Sequence, residues 1–304
     1  QRVSNVTIRN NVQYLRDKEN TKAGGFLLSH GYGPIIVENN EMTYCGVSFH
    51  TVDGVVIRNN EITGAGINAG SAETYDREDF VFGNEIYGNK VVYPEGTALN
   101  IAGNGVLARD NELEGTVGVA FGAGSTDSSM GASNCTLSNN IIRASSRGIR
   151  TTNTVKNVTI EGNNIHMLPG ANFSMSLGND WSSSSSANFV VSNNIISGNK
   201  SNSSTGAPPS LIGANSIDYT NNDSGDIQIN GGRNINVSNN VIDANIGEHG
   251  ILFYDDAPNS TIENNSITVY TSQTPLNVQC ITQANGVSLS SSVNISNNNS
   301  CTEQ

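Results

Sequence analysis

Apolar residues in this chain alternate with polar ones over very short runs, and the runs end alike. "VTIRNNV" (6–12), "IIVENNE" (35–41), "VVIRNNE" (55–61), "CTLSNNI" (135–141), "VVSNNII" (190–196), "NVSNNVI" (236–242) and "TIENNSI" (261–267) share one plan: a two-residue period, paired asparagines, then usually another aliphatic. Period-two alternation over a few residues predicts half-buried strands, and the 3.6-residue stripe of a helical repeat is missing. Taking Asn11, Asn40, Asn60, Asn84, Asn111, Asn140, Asn164, Asn194, Asn240, Asn265 and Asn298 as closing positions gives a repeat of about 20–30 residues, with "DYTNND" near Asn222 as a degenerate unit.

A repeat of that length with roughly three strands cannot bury a hydrophobic face alone, so copies must stack. The predicted fold is all-β: a right-handed parallel β-helix of about eleven coils, forming a single domain over 1–304. The asparagines fit a sharp corner, because a short amide tolerates positive φ and bonds locally. At ~4.8 Å per coil, stacked amides also reach one another in a ladder. Glycine before a second run, as in "GGFLL", "CGVSF", "AGINA", "VGVAF", "RGIRT" and "HGILF", predicts another tight corner.

The chain has 304 residues, 32 of them glycine, with 14% charged residues and a net charge of −12. That acidity argues against a nucleic-acid partner, which requires a basic footprint. It also demands local positive charge if the partner is an acidic polysaccharide. No run approaches the ~20 apolar residues of a membrane span. The opening "QRVSNVTIRNN" is already repeat, so a signal peptide is expected to be absent or removed before this numbering begins. Cys280 and Cys301 flank the last repeat and are candidates for a staple there, Cys135 replaces an apolar strand residue and reads as a buried thiol, and Cys45 is uninformative. The many N-x-[ST] matches, Asn134, Asn157, Asn236 and Asn294 among them, are what an Asn/Ser-rich repeat produces by chance.

The Asn-rich repeat resembles that of the pectate-lyase-like superfamily of right-handed parallel β-helix proteins, which includes polysaccharide lyases, uronan epimerases, glycoside hydrolases and surface proteins. The resemblance covers nearly the whole chain and implies that substrate lies across the sheet after the glycine corner, walled by the loops beyond it. In that sheet, one outward column reads Leu27, Ser48, Asn68, Asn100, Ala120, Arg150, Ser176, Gln228, Leu252. The other reads Ser29, His50, Gly70, Ala102, Gly122, Thr152, Gly178, Asn230, Tyr254. Small residues bracketed by His50, Asn68, Asn100 and Arg150 predict a shallow trough for a sugar chain, although a plain solvated β-face carries similar residues. Three long loops, "GSAETYDRED" (70–79), "GAGSTDSSMGASN" (122–134) and "GNDWSSSSSAN" (178–188), bring Glu73, Tyr75, Asp76, Arg77, Glu78, Asp79, Asp127, Asp180 and Trp181 to its wall.

Three functions compete. Lyase-type β-elimination on a uronate needs a base, an acid and a cation for the carboxylate. His50, Tyr75 and Glu73 form the candidate catalytic group; Asn68, Asn100, Arg150, Trp181, Asp127, Asp180 and Tyr254 are candidates for substrate binding. Arg150 stands about 19 Å from His50 along the axis, so it belongs to a distal subsite. A glycoside hydrolase needs two carboxylates across the scissile bond, drawn from Glu73, Asp76, Asp127, Asp180 or the Asp255–Asp256 pair. "YDDAP" (254–258) and "EHG" (248–250) stand in the wrong order for the polygalacturonase-like series, and "HGYGP" (30–34) lacks the Asp and His of the epimerase motif. Asp76, Glu78 and Asp79 offer oxygens to Ca²⁺ without EF-hand spacing and read first as a solvated acidic loop. The third function is a non-catalytic surface, adhesive or viral-fibre module that binds glycan. All three place the protein outside the cell or on its surface, with a polysaccharide as partner.

Overall fold

The structure, a computed structural model, describes residues 4–15, 25–70, 83–122, 132–151, 155–178, 187–198, 207–270 and 279–304; of Ser29, His30, Tyr32, His50 and Thr51 only the backbone is described. Each coil contributes strands to three parallel faces. The first face holds the runs that end in the asparagine pair, beginning Val6–Arg9 and reaching Asn294–Ile295. The second follows the pair, from Val12–Tyr14 to Ser300–Glu303. The third follows the glycine corner, from Gly25 opposite Gly46 to Ile281–Gln283. Every inter-strand pairing is parallel and joins a coil to the next, so the chain is a parallel β-helix, as the repeat predicts.

The two asparagines of each pair have different tasks. The first supplies the left-handed corner: φ is 56° at Asn10, 54° at Asn39 and Asn59, and 56° at Asn139, all exposed. Only positive φ is required there, and Gly88, Asp110 and Gly162 do the same work. The second residue is asparagine in every coil: Asn11, Asn40, Asn60, Asn89, Asn111, Asn140, Asn163, Asn194, Asn222, Asn240, Asn265 and Asn299. The ladder thus has twelve members, in line with about eleven coils, and runs through Asn89, Asn163 and Asn299 rather than Asn84, Asn164 and Asn298. Asn222, the degenerate unit, is a full member.

A ladder asparagine satisfies backbone on two coils at once. The Oδ1 of Asn140 accepts from the backbone N–H and the Nδ2 of Asn111, at 3.0 and 2.9 Å. Its own Nδ2 donates to Asn163 Oδ1 and to the carbonyls of Ala108 and Ser138, at 3.0, 3.1 and 2.9 Å. No other side chain presents one acceptor and two donors on so short a stem, which is why position two does not vary.

Glycine at the other corner answers to space. Gly46, Gly66, Gly118, Gly148 and Gly250 keep ordinary negative φ, but a Cβ at Gly46 would run into the carbonyl oxygen of Gly66, and one at Gly148 into that of Ser174. Successive coils approach too closely for any side chain there. Inward positions fill the interior with fully buried Val47, Phe49, Ile67, Leu99, Phe121, Ile149, Met175 and Phe253. Each such side chain contributes about 1.5–3 kcal/mol by leaving water. Among the described residues no helix is long and apolar enough to cross a membrane. Cys280 and Cys301 are bridged across 21 residues, joining the last two coils, while Cys45 and Cys135 are buried thiols. Burial pushes the Cys135 thiol up to about 11.

Two measurements check this account. Asn140→Ala leaves the backbone N–H of Asn111 without its acceptor and removes one hydrogen bond each from Asn111 Nδ2, Asn163 Oδ1 and the carbonyls of Ala108 and Ser138, and should cost about 3 kcal/mol; neighbouring Asn139→Gly should stay within about 0.5 kcal/mol. Equal loss of thermal stability in the two variants would contradict the division of labour. Breaking the Cys280–Cys301 bridge releases a loop worth about 3 kcal/mol of chain entropy. Amide exchange should therefore accelerate over 281–303 and stay unchanged in the first coils.

Candidate functional site

The third face is built from 25–29, 46–50, Ile67–Ala69, 97–101, 117–121, 147–151, Phe173–Leu177, Ser210–Ile212, Ile227–Asn230, Ile251–Asp255 and Ile281–Gln283. Parallel register fixes which side chains share a column. Leu27, Ser48, Asn68, Asn100 and Ala120 are successive Cα partners, followed by Arg150, Ser176, Leu211, Gln228, Leu252 and Thr282. The expected column is therefore real, with Leu211 in the gap that sequence left open. Its coil was missed because "PSLIG" (209–213) has no glycine directly before the strand; the signal that could have found it is Gly213 after the strand, matching Gly122 and Gly178.

The neighbouring column needs correction in two places. Ser29 and His50 are Cα partners as expected. Gly70, Gly122 and Gly178, however, have φ of +83°, +75° and +104°, so backbone conformation selects the small residues, and a floor for sugar is not needed to explain them. A register shift after Ile229 pairs Asn230 with Asp255 in place of Tyr254. Tyr254 remains 41% exposed on that strand.

Of the sequence candidates, Asn68, Asn100 and Arg150 come together on this face. The Nδ2 of exposed Asn68 donates to Ser48 Oγ at 3.2 Å, and Asn100 and Arg150 are half-buried. Arg147, overlooked as a corner residue, lies on the same strand as Arg150, with its guanidinium 5.9 Å from the Phe173 ring centroid. The side chain of His50 is not described. Glu73, Tyr75, Asp76, Glu78, Asp79, Asp127, Asp180 and Trp181 lie outside the described residues. Among the described residues no group of three or more His, Cys, Asp or Glu is placed to hold a metal ion.

The hydrolase candidates Asp255 and Asp256 are occupied in the backbone. Asp255 Oδ1 accepts from the N–H of Asp256 at 2.8 Å, and Asp256 Oδ1 accepts from the N–H of Ser290 at 2.9 Å. His249 accepts the N–H of Gln279 through Nδ1 at 3.0 Å.

Charge is distributed unevenly over the three faces. The first carries Glu38, Glu85, Glu161, Asp218 and Glu263, and the second Glu41, Glu61, Glu112, Glu114, Asp223 and Asp243. Partners on adjacent coils offset part of this. Arg58 binds Glu38 at 2.6 Å and donates to the Tyr87 hydroxyl at 3.0 Å, Arg109 covers the Tyr87 ring at 4.3 Å, and Arg143 meets Glu112. The segments of the third face from 25–29 to Ile212 contain no Asp or Glu and hold Arg147 and Arg150, although Glu95 stands two residues before the segment 97–101 on the strand Lys90–Ile101 and Asp255 lies further along the face.

A model of the right-handed beta helix region matches residues 1–166, more than half of the chain, and the chain belongs to that family. No curated protein matches it significantly.

Desolvation, and then the neighbouring Asp243, raise the Asp223 carboxyl above its ordinary value. A raised folded-state value means that the charged form is disfavoured in the fold. The stability this residue permits is complete below the unfolded carboxylate range and is lost as pH rises through the raised value. Asp223→Asn should thus raise the urea midpoint near neutral pH and leave it unchanged at about pH 3, where Asp is protonated in both states. A variant no more stable than the parent at neutral pH would refute the assignment.

Proposed function

We propose that the third face binds an anionic, uronate-containing polysaccharide, and that the protein acts on it outside the cell by lyase-type β-elimination. One observation carries this reading: in a chain of net charge −12, the described segments of one face from 25–29 to Ile212 carry no Asp or Glu and hold two arginines. An acidic protein that avoided anions would have no reason to segregate its charge in this way, whereas one that holds an anionic chain must, because like charges directly opposed cost free energy.

The chemistry follows from the same face. Arg150 can pair with a uronate carboxylate through two charge-assisted hydrogen bonds, and withdrawal of that negative charge makes the C5 proton easier to remove. Asn68 and Asn100 offer amide donors and acceptors to ring hydroxyls. His50, with Tyr75 and Glu73, supplies the base and acid in this proposal. Hydrolysis is the second reading: it needs two carboxylates about 5–9.5 Å apart across the bond, and of its candidates Asp255 and Asp256 each accept a backbone N–H, while Glu73, Asp76, Asp127 and Asp180 lie outside the described residues. The Cys280–Cys301 bridge supports an oxidising compartment, and hence a secreted or surface location.

Incubation with polygalacturonate, alginate and hyaluronan, followed by ultraviolet absorbance of unsaturated uronate ends, tests the reading. New reducing ends without that absorbance would mean a hydrolase; retention of one glycan without turnover would mean a binding module. On the glycan that is retained, Arg150→Ala should weaken binding by about tenfold to a hundredfold, the worth of a charge-assisted pair. The loss should shrink at high salt. Unchanged affinity in this variant, with the fold intact, would remove Arg150 from the site.

A further inference from the structure

The buried ladder closes the first face, and a second column of asparagines opens it. Where the third face turns into the first, Asn5, Asn134, Asn157, Asn188, Asn234 and Asn259 take left-handed φ between 51° and 62°. All six are exposed. Some of them touch: Asn134 Nδ2 donates to Asn104 Oδ1 at 2.7 Å, and Asn157 Nδ2 to Asn134 Oδ1 at 2.9 Å. Such a contact uses one of the two hydrogens on an amide nitrogen and leaves the other free for chemistry.

Two residues after this corner each strand places a side chain outward, and parallel register aligns these into one column from Thr7 to Asn294. A hydroxyl occurs in that column only after an asparagine corner. Four of the six asparagine corners are followed by Thr7, Thr136, Thr159 and Thr261, and the other two by Val190 and Asn236. The coils with proline, glycine or serine at the equivalent place carry Ile36, Val56, Glu85, Leu107, Asp218 and Asn294. Strand propensity favours β-branched residues in such a column, but Ile36, Val56 and Val190 meet that need without an oxygen. Shape therefore does not select the hydroxyl.

The complete chain contains four N-x-T triplets, none with proline at x, and all four stand at this corner; its other acceptor-type triplets end in serine. One of those, at Asn222, belongs to the buried ladder, where both ends of the amide are engaged. Chance matches in an Asn/Ser-rich repeat would end mostly in serine and scatter around the coil. The threonine triplets do neither.

We infer that this corner is a row of N-glycosylation acceptors, with glycan carried on Asn5, Asn134, Asn157 and Asn259 and the threonine two residues on completing the recognised triplet. In the transfer, Nδ2 gives up one hydrogen as a proton and bonds to C1 of the first sugar, while a lipid-linked diphosphate leaves that carbon with the bonding electron pair. The remaining Nδ2–H still reaches the neighbouring coil. An exposed turn accommodates so bulky a group without disturbing the interior. The inference rests on the secreted location proposed above, and is independent of the polysaccharide substrate.

Protein purified from the organism that makes it, treated with a peptide N-glycosidase in heavy-oxygen water and mapped by mass spectrometry, tests this, because release converts a glycosylated asparagine into labelled aspartate. Label is expected at Asn5, Asn134, Asn157 and Asn259, and not at Asn222. In variants made in the same organism, Thr136→Val and Thr261→Val should each lose the label at their own asparagine and keep it at the other three. Their thermal melting should not change, since Val56 and Val190 already fill this register position. A majority of the four corners unlabelled would overturn the acceptor row, as would label carried mainly by the serine triplets or retained after the threonine is replaced. Uronate turnover by an unlabelled chain would overturn the acceptor row alone, whereas labelled corners without turnover would support the row and count only against the substrate reading.

Discussion

One hydrogen-bonding constraint governs the rest of this structure. Where the chain turns between its first and second faces, strand pairing is interrupted and backbone groups of two coils are left inside without partners, at the cost of a buried unsatisfied group. A single buried asparagine per coil resolves this by accepting from the coil before, donating to the coil after and closing two carbonyls. Because each amide serves its neighbours, the twelve form one connected line, and the register of all three faces is pinned to it. A slip of one residue would exchange inward and outward side chains throughout. The ladder therefore fixes which residues can ever form a surface.

That fixed surface explains how an acidic chain can still present a face suited to an anion. Parallel stacking puts like positions directly above one another, so charges on a face add along the axis. On the first face the consequence is managed by alternation: Glu38, Arg58, Tyr87, Arg109 and Asp110 form a continuous run of ion pairs and ring contacts. On the second, Glu41 and Glu61 stand opposite one another with Lys90 beside them. The third face uses neither device, since its segments from 25–29 to Ile212 carry no acid to offset. Its neutrality is better understood as a property of what the face contacts than as a requirement of the fold, which tolerates stacked acids elsewhere.

The fold was legible in the sequence because its signals are local. Two-residue alternation, a turn residue and a repeat suffice to index strands, and the column from Leu27 to Leu252 came out in register. The errors were local as well. Reading "NN" as the unit concealed that the two positions answer to different physics, so "GNK" at 88–90 and "EGNN" at 161–164 were indexed on the wrong asparagine. Tyr254 was displaced by a bulge, which no periodic pattern announces. The glycine strip was read as a floor because sequence does not distinguish a glycine chosen for φ from one chosen for room. Accessibility was not legible either: alternation points Ala120 outward, yet it has no accessible surface.

These limits indicate where function can reside in such a solenoid. Positions that serve the ladder, the glycine contacts or the interior are committed, and their identity carries no information about a ligand. Asn140 would be the same residue in an enzyme, an adhesin or a fibre. Only outward positions are at liberty, and among these a departure is meaningful when the fold neither requires nor forbids it. Glycine at 70, 122 and 178 fails that standard, since positive φ requires it. The absence of acids from eight successive segments passes it, since the other two faces show that acids are tolerated there. Arg150 departs from its column too: neighbouring coils place asparagine, alanine or serine at that register position. The case for an anionic ligand rests on that residue and on the acid-free segments around it, and owes nothing to the repeat that made them visible.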